Sequence, residues 1–302
     1  MTQPRLPGVG LIAVPGRWKA TLELAGELER RGFEGVYSPS LGDAMALSQA
    51  VIQTTTRLRA GTSIVNIYTR HPADYAQTAV ALHELSGGRF VFGVGVSHGP
   101  MNQHLGVTAG KPLADMRDFV GKLRRSVRAE LAPVVLATLR DPMIRLAAEI
   151  GDGMVFANAS LSRTEASLSV LPDDKRNSED FFIGNMVPIC INDDVQAAAA
   201  RNRKTMEFYL TLPNYREYWK TAGYTEEMQA AEKFLEAGQK ERLSEAMSDR
   251  WLADCTLFGP AAKVREGIEA WYDVGVRTPI LVPSSAAGNQ MKAFEELFAA
   301  YS

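Results

Sequence analysis

Apolar residues along this chain fall into short β-branched runs that alternate with stretches of helical spacing, most clearly over residues 60–100. Ile64, Val65 and Ile67 predict a strand. Pro72, after His71, opens a helix, because a proline at the first helical position lacks an N–H that would be unpaired there anyway. Tyr75, Ala79, Leu82 and Leu85 then form one stripe, and Gly87 and Gly88 stop the helix in a left-handed exit. Residues 89–96 follow at once as a second strand. A helix between two short apolar strands requires a right-handed crossover, so both strands deliver their C-terminal ends to one side of a parallel sheet. The second strand ends among Gly93, Gly95, Ser97 and Gly99, small residues that would let a flat or phosphorylated ligand approach the backbone.

The same rhythm runs through the rest of the chain. A first strand is expected over 6–14, then a helix with Trp18, Leu22, Ala25 and Leu28 on its inner face. A short strand at 35–37 leads through the turn 38–42 into a helix capped by Asp43. After an unpatterned passage at 101–114 come a helix over 115–128, a strand at 133–136 and a helix that starts at Asp141 and Pro142. A sixth strand is expected at 154–156, a seventh at 182–191 and, after a helix opening at Gly259 and Pro260, an eighth at 279–282. Eight strands alternating with helices in one domain over 1–302 predict a TIM (β/α)8 barrel, with the active site at the C-terminal strand ends. An open doubly wound sheet is the alternative. Residues 205–250 exceed a single connection and predict a helical insertion between strands 7 and 8, carrying Phe208, Tyr209, Tyr215, Tyr218, Trp219, Tyr224 and Phe234. Such a segment buries its own aromatics, or serves as a substrate lid or subunit contact.

Composition narrows the function classes. The 302 residues are 46% hydrophobic and 23% charged, enough for a large core. The 33 basic against 35 acidic residues leave no electrostatic footprint for nucleic acid or an anionic membrane. Cys190 and Cys255 stand far apart and outside any CxxC pair, which argues against a disulfide framework or thiolate zinc site and suits a reducing compartment. No apolar run approaches the roughly 20 residues of a membrane span, and the opening MTQPRLPG lacks signal-peptide features. A soluble cytoplasmic protein is the expectation.

Several motifs are excluded on their details. Residues 93–98 begin like GxGxxG, but His98 stands where the third glycine should be and no acidic ribose partner follows. GVTAGKP at 106–112 is one residue short for a phosphate loop and ends in proline where a magnesium-binding hydroxyl is needed. Nothing predicts a metal site.

The succession TSIVNIYTRHPA, LHELSGGRF and VFGVGVSHG resembles the luciferase-like flavin-dependent oxidoreductases, particularly the branch that uses the deazaflavin coenzyme F420 and includes methylenetetrahydromethanopterin reductase-like proteins. LRDPMIRLAAEIGDGMVF at 139–156 is similar to that family's segment after the fifth strand. The resemblance covers 8–156 and 258–282. It implies a non-prolyl cis peptide joining Ser63 to Ile64, as a bulge behind the cofactor ring. Asn66 and the backbone near Ser63 would bond the ring's polar edge. Gly93, Gly95, Val96 and Ser97 would pass along the ring or ribityl chain. Ala137, Thr138, Leu139 and Arg140, at a helix N-terminus, would receive the phosphate, with Asn158, Ala159 and Ser160 completing that site.

One departure bears on chemistry. Many F420-using members carry an acid followed by His or Glu at the end of the second strand, where this chain has Ser38, Pro39 and Ser40. Of the four histidines, His83 sits mid-helix, for solvent or core packing, and His71 either braces its turn or takes part in the site, while His104 is a weaker candidate. His98, in the glycine loop, could exchange a proton near neutral pH and is the candidate catalytic group, with Ser40 as a substrate-orienting hydroxyl. The expected function is hydride transfer between F420 and a small organic substrate. The alternatives are an FMN-dependent monooxygenase and a non-catalytic flavin-binding protein. The resemblance also implies a homodimer.

Overall fold

A computed structural model describes residues 6–302. It is a TIM barrel. Its parallel strands run in the order β1-β2-β3-β5-β6-β7, with β4 paired to β5, and β8 pairs with β9 and with β10. Here β1 is Gly8–Gly10, β2 Gly35–Ser38, β3 Arg59–Thr62, β4 Val65–Asn66, β5 Phe90–Gly95, β6 Val134–Ala137, β7 Gly153–Ala157, β8 Phe182–Ile191, β9 Leu257–Gly259 and β10 Thr278–Ser284. The helices are α1 Trp18–Arg31, α2 Ala44–Thr54, α3 Pro72–Ser86, α4 Gly99–His104, α5 Pro112–Arg125, α6 Asp141–Ile150, α7 Leu161–Leu168, α8 Asp173–Arg176, α9 Val195–Leu210, α10 Pro213–Thr221, α11 Thr225–Glu236, α12 Asp249–Cys255, α13 Ala261–Asp273 and α14 Gln290–Ala300.

The chain clusters into two compact units, Met1–Ala157 with Ser169–Gly184, and Asn158–Leu168 with Asn185–Ser302. In the first unit β2 and β3 run in register from Gly35 opposite Arg59 to Ser38 opposite Thr62, and Val94 of β5 faces Leu136 of β6. Phe90 and Phe92 are fully buried, and the Tyr75 ring of α3 packs 5.5 Å from Phe92 and 5.9 Å from Phe119 of α5. The caps follow the residue types that predict them. Asp43 accepts the amides of Met45 and Ala46 at the start of α2, His71 Nδ1 accepts Ala73 N–H at the start of α3, and Gly87 ends α3 at φ 61°. In the second unit β8 pairs with β9 from Ile189 opposite Leu257. Tyr215, Tyr218, Trp219, Tyr224 and Trp251 are buried there, with Trp219 edge-on to Trp251 at 4.8 Å.

Local differences from the predicted elements have local causes. The first strand covers only 8–10, with Leu6 bridged to Phe33; residues 1–5, including the start of the MTQPRLPG stretch, lie outside the described residues. The buried face of α1 is Thr21, Leu24, Ala25 and Leu28, one helical step from the predicted stripe, so Trp18 is exposed, as is Leu85 at the end of α3. The unpatterned passage at 101–114 takes in the end of α4 and, from Pro112, the start of α5. Gly259, expected to open a helix, instead closes a ninth strand at φ 118°. Between β8 and β9 the chain forms α9, α10, α11, a 3-10 turn at Lys240–Ala246 and α12, with residue 205 inside α9. Among the described residues no helix is long and apolar enough to cross a membrane.

Candidate active site

In the first unit the peptide joining Ser63 to Ile64 is cis, as the resemblance implies. Its neighbours explain the glycines of β5. A Cβ on Gly93 would lie 2.0 Å from Thr62 O, and one on Gly95 would meet Ile64 Cδ1 at 2.8 Å and Ala137 Cβ at 2.9 Å. The space beside these two glycines is filled by the Ser63–Ile64 bulge. Their smallness therefore serves the bulge first, where sequence alone suggests direct approach of a ligand.

Around that bulge three strand ends carry buried hydroxyls with no hydrogen-bond partner: Ser38 Oγ at the end of β2, Ser63 Oγ just after β3, and Thr138 Oγ1 just after β6. Their backbone is pinned, since Ser63 N–H donates to Ser38 O at 2.7 Å and Thr138 N–H donates to Val155 O at 2.9 Å. Burying a polar group unpaired costs about 1–3 kcal/mol, so three at the C-terminal ends of one sheet mark a place that a polar ligand completes. By contrast Thr62 Oγ1, one residue earlier, is satisfied by donating to Gly93 O at 2.7 Å. The residues fit a ligand with polar edges.

Asn66 belongs to a different arrangement. Its Nδ2 donates to Asn102 Oδ1 at 2.8 Å and its Oδ1 accepts Tyr68 N–H at 3.1 Å, while Asn102 Nδ2 donates to Val96 O at 2.9 Å. Each Asn66 side-chain atom already has one partner, leaving one N–H and one lone pair for a ligand. Ser97 sits at φ 57°, left-handed without being glycine, which costs roughly 1–2 kcal/mol and turns the chain into α4. His98 occupies the N-cap position of α4 without a side-chain cap bond. It is half-buried, and desolvation lowers its pKa below the usual imidazole value, so the ring is neutral at pH 7. His71 caps α3 and His83 lies 3.6 Å from Glu130. Ser40 is exposed on the turn after β2. Arg140 is the exposed N-cap of α6, and Leu139 precedes it half-buried, so this segment does lie at a helix N-terminus. The Thr138 amide, however, is spent in the strand ladder and only its hydroxyl is unpaired.

In the second unit Asn158 is the other non-glycine residue at positive φ among those described, at 55°. Asn158 N–H donates to Met186 O at 3.0 Å, Ala159 N–H to Asn185 Oδ1 at 3.4 Å, and Ser160 N–H to the Tyr218 hydroxyl at 3.1 Å. The three amides that sequence similarity assigns to a phosphate are thus internally engaged. Burial pushes the Tyr218 phenol up to about 12, against the lowering effect of Ser160.

Sequence candidates did not include Ser38, Asn102, Asn185 or Tyr218. A usable signal existed for Asn185, which interrupts the apolar run FIGNMVPICI of β8 and is fully buried with Nδ2 unpaired. For Ser38 the signal is its place at the end of the second strand, where the resemblance expects an acid. Among the described residues no group of three His, Cys, Asp or Glu could hold a metal ion.

A family profile described as luciferase-like monooxygenase matches residues 4–278. A Mycobacterium tuberculosis protein assigned as a coenzyme F420-dependent oxidoreductase is 25% identical over 316 aligned positions, covering 87% of this chain and 90% of the relative. Among solved structures, the coenzyme F420 dependent tetrahydromethanopterin reductase of Methanopyrus kandleri matches with a TM-score of 0.75 at 16% identity over 97% of each chain. The oxygenating constituent of 3,6-diketocamphane monooxygenase from Pseudomonas putida, in complex with FMN, matches with a TM-score of 0.59 at 13% identity over 92% of each. At these identities the two structures establish the fold.

Proposed function

The chain belongs to the luciferase-like monooxygenase family and is an enzyme of that family, and from this premise we propose that it is an F420-dependent oxidoreductase acting on a small organic substrate. The observation that carries the reading is the set of unpaired buried hydroxyls, Ser38, Ser63 and Thr138, at the C-terminal strand ends around the cis Ser63–Ile64 bulge. The F420 assignment is supported by the motifs at 60–100 and by the named cofactor of the mycobacterial relative.

When bound, the deazaflavin would supply the carbon centre that gives or takes a hydride. The chain's own groups would do the rest. Ser63 and Thr138 would bond polar atoms of the ligand, and Ile64, backed by Gly93 and Gly95, would give the ring an apolar support. Ser38 would orient substrate or ring edge. His98, neutral at pH 7, would accept the proton released when a substrate hydroxyl is oxidised and return it in the reverse direction. Holding ring and substrate in fixed orientation replaces an encounter in water by a positioned one.

One feature favours the non-catalytic flavin-binding reading instead. The acid and His or Glu common in F420-using members at the second strand end are replaced by Ser38, Pro39 and Ser40. Fluorescence titration of the purified chain with F420 and with FMN, followed by anaerobic and aerobic turnover of each reduced cofactor, separates the readings. Saturable F420 binding with oxygen-independent oxidation of reduced F420 by an organic acceptor is expected. Preferential FMN binding with oxygen uptake would overturn the F420 reading, and binding without turnover of any acceptor would leave a flavin-binding protein.

A further inference from the structure

Residues 158–162, which join β7 to α7, are held at every second position by the helical insertion. Trp219 Nε1 of α10 donates to Asn158 O at 3.2 Å. One residue along α10, the Tyr218 hydroxyl accepts Ser160 N–H at 3.1 Å and lies 3.4 Å from Ser160 Oγ. Asp254 of α12 accepts Ser162 N–H at 2.9 Å and Ser162 Oγ–H at 2.7 Å, and it is itself fixed by the Tyr224 hydroxyl at 2.7 Å. These contacts cross 58 to 92 residues of sequence. Three prongs on three alternate residues leave the turn little freedom.

The prongs are rigid in turn. Tyr209, Tyr215, Trp219 and Trp251 form a continuous run of tilted and edge-on rings with centroids 5.1, 5.3 and 4.8 Å apart, and Tyr218 and Trp219 are buried. The Asp254 carboxylate also fills the N-terminus of α7, where an anion would otherwise bind. That leaves the unpaired Nδ2 of Asn185 as the donor available to a ligand. Asn185 Oδ1 is committed to Ala159 N–H, which fixes Nδ2 as the free donor.

We propose that the insertion is a clamp that sets the turn at 158–162 for cofactor binding, with Tyr218 as its positioning residue and Asn185 as a donor to an acceptor-rich part of the ligand. This assigns the aromatic segment a place in the binding machinery, in preference to a mobile lid. It rests on the proposed cofactor reading for its ligand, and on the hydrogen bonds above for the clamp.

Tyr218→Phe removes one hydroxyl and keeps the buried ring. The test is amide hydrogen exchange across 158–162 in the unaltered and variant chains, with affinity for F420 and FMN measured by fluorescence on the same samples. Loss of the Ser160 acceptor is expected to speed exchange at this turn by about tenfold and to weaken cofactor affinity by about tenfold. Asn185→Ser, which loses the Nδ2 donor, is expected to weaken affinity similarly. Unchanged exchange in Tyr218→Phe, or exchange raised throughout the second unit, would overturn the clamp. Affinity unchanged in both variants, where the unaltered chain binds, would overturn its role in binding. Failure of the unaltered chain to bind either cofactor would overturn the proposed function and the ligand role together, and exchange would then decide the clamp alone.

Discussion

Asn66 and Asn102 face each other as a buried carboxamide pair, with Asn66 Nδ2 donating to Asn102 Oδ1 at 2.8 Å and Asn102 Nδ2 passing on to Val96 O. The pair ties β4 to α4, whose N-cap is His98. Asn102→Leu removes the acceptor of one bond and the donor of the other, stranding two buried polar groups. We expect a loss of about 2–4 kcal/mol in urea unfolding, well above the median point substitution. A change below about 1 kcal/mol would mean that water replaces both partners.

Gly95 and Ile64 form a similarly tight relationship through sterics. Gly95→Ala places a Cβ 2.8 Å from Ile64 Cδ1 and 2.9 Å from Ala137 Cβ, and overpacking of this kind costs about 1–3 kcal/mol. Ile64→Ala creates room on one side. The double variant should therefore be more stable than the sum of the two single losses predicts, by at least about 0.5 kcal/mol in a thermal or urea cycle. Strict additivity would show that the clash is relieved elsewhere.

The barrel was legible because each strand and helix carries its own local signal. Gly87, Asp43 and Pro72 mark helix ends by backbone chemistry that does not depend on distant residues. Legibility failed where the partner lies far along the chain. Whether Gly93 and Gly95 open a path for a ligand or admit a bulge is decided by Thr62, Ile64 and Ala137. Whether the amides at 158–160 are available is decided by Asn185, Met186 and Tyr218. The extra strand β9 is only three residues long and lies against the helix-opening Pro260, so periodicity has too few positions to register it.

Tyr68 anchors the loop that precedes α5. Its hydroxyl donates to Asp115 Oδ2 at 2.6 Å, and the same oxygen accepts Gly110 N–H at 2.8 Å. Desolvation, with the Asp115 hydrogen bond adding to it, raises the phenol pKa, so the donor persists at any ordinary pH. Tyr68→Phe should speed limited proteolysis at 105–112 several-fold while global stability falls by only about 1 kcal/mol. Cleavage at an unchanged rate would show that Asp115 and Gly110 hold the loop unaided.

His98 gives the pH dependence a defined sign. Desolvation lowers its pKa in the folded chain below the roughly 6.5 of an unfolded imidazole, so below that pH the unfolded state binds the extra proton. Stability associated with His98 is complete above about pH 6.5 and declines as pH falls toward the folded-state value. Lowered carboxylates such as Glu232, set by its Lys220 hydrogen bond against opposing desolvation, lose their contribution at more acidic pH, below about 4.5. Urea unfolding of the chain and of His98→Gln between pH 5 and 7.5 therefore isolates the imidazole. The unaltered chain should lose stability over this window while His98→Gln stays flatter, and parallel curves would place His98 in water rather than in the half-buried loop.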